Sequence, residues 1–205
     1  AGDSFTYGDE LIEPEKNRFS KLVCDHFNAV EINRSRKSAG NDEIFLQCIE
    51  GLIEKPDICV IQLSDLVRIT IAGKEISSFK TLKPRSENKD LETKIAKYLF
   101  QPSVNNMSAW YRLTKYKLVL VDDFLRSNNI KMVYCPRRDL DFYLNDDGLS
   151  LDIKRNFLDT EIRKIILNNK MPGGHPNEIG HELIAKEIIK KISVQRFSIN
   201  FYQPI

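Results

Sequence analysis

The sequence predicts an α/β fold in which helices cover both faces of a mainly parallel sheet. Two nearly continuous apolar runs, "PDICVIQLS" (56–64) and "IKMVYCP" (130–136), read as strands buried on both faces. Segments with apolar residues at helical spacing alternate with them, as a three-layer α/β/α arrangement requires. The chain has 205 residues, 41% hydrophobic and 29% charged, which suits one globular domain with a core of ordinary size.

Each element has its own signal. Residues 14–28 place Phe19, Leu22, Val23 and Phe27 on one helical face, with Pro14 suited to the first turn. "AVEIN" (29–33) reads as a short strand. The helix at 41–55 carries Ile44, Phe45, Cys48, Ile49 and Leu52 on one side, with Asn41 or Asp42 as its cap. Residues 72–110 are polar and irregular, with a helix expected at 90–100, and read as an insertion or lid. Its aromatics, Trp110, Tyr111 and the more distant Tyr116, suit either a core or a sugar ring. A long helix follows at 107–129, a loop rich in Asp and Gly at 139–152, and a helix at 159–168. The helix at 175–192, opened by Pro176, shows Ile179, Leu183, Ile184, Ile188 and Ile192 on one face. Beyond it, residues 194–205 form a tail in which 196–203 suit an edge strand or a partner-binding arm.

Composition narrows the function. A net charge of +2 gives no reason to expect nucleic acid, which is met by a basic face. The cluster Arg34, Arg36 and Lys37 reads as a solvated loop. The four cysteines are widely spaced, without a CxxC or Cys/His pattern, so no zinc site is expected. Free thiols in a reducing compartment are the default reading, with two disulfides as the alternative. No apolar stretch reaches the ~20 residues of a membrane span, and no signal peptide is visible. The chemistry therefore belongs in the loops after strands, where open α/β sheets bind their ligands.

The first residues, "AGDSFTYGDEL", hold the strongest chemical signal. After a strand, Gly-Asp-Ser makes a tight turn that puts the Ser4 hydroxyl and amide at the mouth of the sheet, with Gly2 supplying an unusual backbone angle. A serine hydroxyl needs a base within hydrogen-bond reach. Of the three histidines, His175 lies in a loop that returns to the same end of the sheet; His26 and His181 read as structural. The strand that should precede Gly2 is absent. The sequence is read as beginning after that strand, with the 196–203 tail as a second way to fill the gap.

These blocks together resemble the SGNH (GDSL) hydrolases, most closely the compact proteins of bacteria and their phages. "GDSFTYGDEL" is similar to the family's first block and "GGHPNEIGHELIA" to its last; "SAGNDEIF" (38–45) and "KPDICVIQLSDLVR" (55–68) resemble the second and third. The resemblance spans nearly the whole chain outside 72–105 and implies a flavodoxin-like SGNH fold with no cofactor and no metal. It implies that Ser4 is the nucleophile of an ester hydrolase, that His175 is the base, and that the Ser4 and Gly40 amides bind the oxyanion. Asp3 would orient the turn. The substrate would be a small ester or an acylated carbohydrate.

Two positions depart from the family pattern. Its acid stands three residues before the histidine, where this chain has Pro172. Asp139, Asp141 or Asp147, or a backbone carbonyl, would have to orient His175 instead. The third block's oxyanion asparagine falls on Ser64. Asn41 is either a substitute donor or a helix cap. Arg68 either binds an anionic substrate or holds its loop. The alternative to an esterase is a degenerate SGNH domain serving as a binding or structural module, for example in a phage particle, partnered by phage proteins or a second copy of itself. A phosphate binder built on the "GDSFTYG" amides is a third reading, and an acyltransferase would use the same residues as the esterase. The expected location is cytoplasmic or virion-associated.

Overall fold

The computed structural model describes residues 1–66, 69–72, 79–82, 104–145 and 147–199, with the side chains of 69–72, 79–82, 104–110 and 196–199 left aside. Two parallel strands, β1 (Ile58–Leu63) and β4 (Lys131–Pro136), form the centre, in register from Ile58 opposite Lys131 to Leu63 opposite Pro136. Among the described residues the sheet continues on both sides without further full strands. Tyr134 donates to Asn156 O and accepts from Leu158 N, both at 2.9 Å. On the other edge the Ala1 ammonium donates to Val60 O at 2.9 Å, and Ala1 O accepts from Gln62 N at 3.0 Å. Ala1 and Gly2 thus lie beside β1, where the strand before Gly2 was expected.

Alternation along β4 splits the core in two. Met132 and Tyr134 face one cluster, with Ile44, Phe45, Leu118 and Leu125; Val133 and Cys135 face the other, with Phe5, Phe19, Ile184 and Ile188. The first cluster is supplied by α4 (Asn41–Glu50) and α5 (Val104–Ser127), the second by α3 (Phe19–His26) and α9 (Glu178–Ile199). This is the expected helix cover on both faces of a parallel sheet. A separate antiparallel hairpin joins β2 (Ile69–Ala72) to β3 (Phe79–Leu82), a pairing absent from the sequence reading. The helix expected at 90–100 lies outside the described residues.

Several expectations are corrected. The helix expected at 14–28 is broken into α2 (Pro14–Asn17) and α3, because Arg18 is extended (φ −68°, ψ 145°). The break frees Phe19 N to donate to His181 Nδ1 at 3.1 Å and lets Arg18 grip Glu31 with two hydrogen bonds. Residues 29–33 form no strand, since a strand needs a ladder and they have none; side chains hold them instead, with Glu31 accepting from Arg18 and Asn33 Nδ2 donating to Thr6 O. Gly40, not Asn41 or Asp42, caps α4. The helix expected at 159–168 is one turn, α8 (Ile162–Ile165), and the last helix starts at Glu178, with Asn177 Oδ1 accepting from Gly180 N. The tail is no edge strand up to residue 199, where α9 continues. The four cysteines are free thiols.

His181 is fully buried, and burial, followed by repulsion from His175, pushes its pKa down to about 4. The unfolded chain takes up the proton near 6.5, so this imidazole stabilises the fold fully above that pH and progressively less as pH falls towards 4. The slope is up to about 1.4 kcal/mol per pH unit. Urea unfolding at pH 7, 6, 5 and 4.5 should show His181→Gln losing less stability with acid than the parent; equal slopes would remove His181 from the account.

Candidate active site

The site begins with the turn at Asp3. Asp3 Oδ1 accepts from Phe5 N at 2.9 Å and so caps the short helix α1 (Ser4–Tyr7). The turn is held from below by two buried glutamines. Gln62 Oε1 accepts from Asp3 N at 3.0 Å and from Thr6 Oγ at 3.2 Å, and Gln47 Oε1 accepts from Gly2 N at 2.8 Å. Gly2 does not have the unusual backbone angle expected of it. It is needed for space, because a Cβ there would lie 2.0 Å from Thr6 Oγ.

His175 reaches this turn from the loop before α9. Its Nε2 lies 2.9 Å from Ser4 Oγ, across 171 positions of sequence. Its Nδ1 lies 2.9 Å from Glu10 Oε2. Phe5 meets the ring edge-on at 5.4 Å, and Arg137 lies over the Phe5 ring at 4.4 Å while approaching Asp3 Oδ2 at 3.7 Å. Sequence reasoning missed Glu10, Gln62 and Arg137. The signal for Glu10 is present in the first block, as an acid six residues after the serine. Asp139, Asp141 and Asp147 make no contact with His175. Asp139 and Asp141 line the cleft, and burial, then Asp65 and Glu161, raises the pKa of Asp139.

The remaining predicted residues are placed unequally. Ser64 Oγ donates to Asp3 Oδ2 at 3.3 Å, so its proton supports the capping carboxylate. Asn41 is neither a cap nor a donor aimed at Ser4: its Oδ1 accepts from Ser64 N at 2.8 Å and its Nδ2 faces Ser64 O at 3.4 Å. It ties α4 to the end of β1. Gly40 is buried beside it as the residue before α4. Arg68 lies outside the described residues. His26 is exposed and packs edge-on against Phe27. Tyr111 packs on Phe142 at 4.9 Å in the core, and Tyr116 is exposed.

Ser4 and His175 open into a cleft of about 910 Å³. Its walls mix charge, with Arg137, Arg138 and Lys164 facing Asp9, Asp139 and Asp141, and carry an apolar patch of Phe142, Ile166 and Leu167. No cluster of His, Cys, Asp or Glu suited to a metal occurs among the described residues. No helix among them is long and apolar enough to cross a membrane.

No family model and no curated protein matches the chain. A solved structure from Desulfitobacterium hafniense, described as a "putative lipolytic protein of G-D-S-L family", is similar to it. The match covers 93% of this chain and 95% of that one, with a TM-score of 0.51 and 13% identity. The chain has an SGNH-like α/β fold. At that identity the likeness speaks for the fold alone.

Replacing Gln62 by Leu should remove the acceptor shared by Asp3 N and Thr6 Oγ in the core. Each orphaned group costs about 1–3 kcal/mol. Urea unfolding of Gln62→Leu should show a loss of several kcal/mol; a loss below about 1 kcal/mol would mean that the turn is held by other contacts.

Proposed function

We propose that the chain is a serine hydrolase that cleaves small polar esters, O-acylated carbohydrates among them, with Ser4 as nucleophile and His175 as base. The observation that carries this is the 2.9 Å contact between Ser4 Oγ and His175 Nε2 at the floor of an open cleft. A nucleophile and a base in hydrogen-bond contact are the minimum for this chemistry. The polar walls of the cleft favour a polar substrate over a long acyl chain.

In this reading Nε2 takes the Ser4 proton as Oγ bonds to the ester carbonyl carbon. The carbonyl electron pair moves to oxygen and gives a tetrahedral oxyanion. Collapse expels the alcohol, which takes the proton from Nε2 and leaves an acyl-serine. Water then attacks the acyl carbon, again giving its proton to Nε2. The proton returns to Oγ as the carboxylic acid leaves. The Ser4 and Gly40 amides are the proposed oxyanion donors. Such donors are worth roughly 3–4 kcal/mol each, because they meet charge that exists only in the transition state.

Hydrolysis of p-nitrophenyl acetate by the 205-residue chain tests this. Ser4→Ala and His175→Ala should each lower kcat by about 10³-fold or more, and the double variant little further, since the pair acts as a unit. Turnover unchanged in Ser4→Ala would overturn the reading. No turnover in a folded parent would favour a binding module, in keeping with the engagement of Ser64 by Asp3.

A further inference from the structure

The sequence has no acid where the resemblance would place one, yet the ring of His175 is held at both nitrogens. For Nε2 to accept the Ser4 proton, the imidazole proton must sit on Nδ1, and something must accept it there. Glu10 Oε2 stands 2.9 Å from Nδ1. Its neighbour Asp9 is 3.9 Å from Nε2, beyond hydrogen-bond reach, and its carboxylate is paired with Lys37. The two adjacent acids are thus sorted: one faces the nitrogen that should hold the proton, the other is neutralised by a lysine. Glu10 has no cation partner other than His175 among the described residues.

The backbone is arranged for this contact. Glu10 has φ 71°, in the left-handed region that a residue with a Cβ enters only at a cost. Strain held at one residue beside a reacting pair points to a role for it. Gly8 (φ 82°) ends α1, Asp9 N donates to Ser4 O at 3.0 Å, and Leu11 N to Gly8 O at 3.2 Å, so the chain folds back beneath the histidine loop. That loop makes room. A Cβ on Gly173 would lie 1.9 Å from Glu10 Oε1 and 2.6 Å from its Cδ. Gly173 follows Pro172, the position that carries no acid, and a side chain there would push Glu10 off Nδ1.

We infer that Glu10 is the positioning carboxylate of His175, supplied by the nucleophile's own loop, and that Gly173 is the residue that admits it. The inference rests on the hydrolase reading for its catalytic meaning and on the ring geometry for its structural one. Glu10→Gln keeps the size of the side chain and removes its charge; its amide can donate to Nδ1 and so select the tautomer in which Nε2 no longer accepts from Ser4.

The test pairs ¹⁵N NMR of the imidazole with p-nitrophenyl acetate kinetics on the parent, Glu10→Gln and Gly173→Ala. The parent should show His175 protonated on Nδ1. Glu10→Gln should melt with the parent, show a changed tautomer, and lose about 10²–10⁴-fold in kcat with KM little altered. Gly173→Ala should move both readouts in the same direction with its glutamate intact. An unchanged tautomer in Glu10→Gln overturns the inference whatever the turnover. A parent without Ser4-dependent turnover defeats the hydrolase reading instead, and the tautomer still decides whether Glu10 sets the ring.

Discussion

Gln62 Oε1 accepts two hydrogen bonds from the Asp3–Thr6 turn in a fully buried position, and the site is built outward from that contact. Gln62 stands near the end of β1, so the turn inherits the rigidity of the sheet centre. Its Nε2 donates to Leu63 O at 2.9 Å, which fixes the amide's orientation and leaves its oxygen for the turn. A buried amide is costly unless each polar atom is used, and the arrangement specifies one position for the turn. Thr6 and Gly2 approach so closely that no larger residue fits between them. Ser4 Oγ is therefore placed before any histidine reaches it.

The second support is lateral. Asp3, Arg137, Phe5 and His175 form a continuous stack from the end of β4 to the histidine ring. Arg137 follows β4 directly, so this strand contributes to the position of a residue 38 positions further along, and the ring is gripped by edge contact as well as by its two nitrogens. Packing and hydrogen bonding agree on the same orientation, which is what the proposed proton acceptor would need. His181, in the first turn of α9, does the opposite work: neutral and buried, it accepts from Phe19 N at the start of α3 and anchors the helix that follows the His175 loop.

The end of β1 has been turned to structural use. Where the resemblance places an asparagine, Ser64 supports Asp3 through its hydroxyl and is held through its backbone by Asn41. An asparagine's amide could serve an oxyanion; this hydroxyl is already engaged. In the proposed hydrolase the oxyanion would rest on backbone amides, beside a turn stiffened by the contact of Ser64 with its capping acid.

The sequence by itself determined the layers and marked Ser4 and His175 as a candidate pair. Apolar runs in 56–64 and 130–136 and helical periodicity in 41–55 and 175–192 are local patterns, and burial on one or both faces follows from them directly. Ser4 and His175 were legible because a serine in a tight turn and a histidine in a distant loop are marked by the residues around them. What only the tertiary structure decided is the set of partners. Gln62 sits in an otherwise apolar run, and nothing nearby in sequence says that its oxygen meets Asp3 N and Thr6 Oγ. The segment at 29–33 has strand-like residues yet no ladder, because pairing depends on a neighbour and not on propensity. Arg18 breaks a helix that periodicity continues, because His181 offers Phe19 N a bond from 162 positions away. Glu10 was hidden for the same reason: a carboxylate's role depends on which nitrogen it meets, and that distance exists only once the chain has closed on itself.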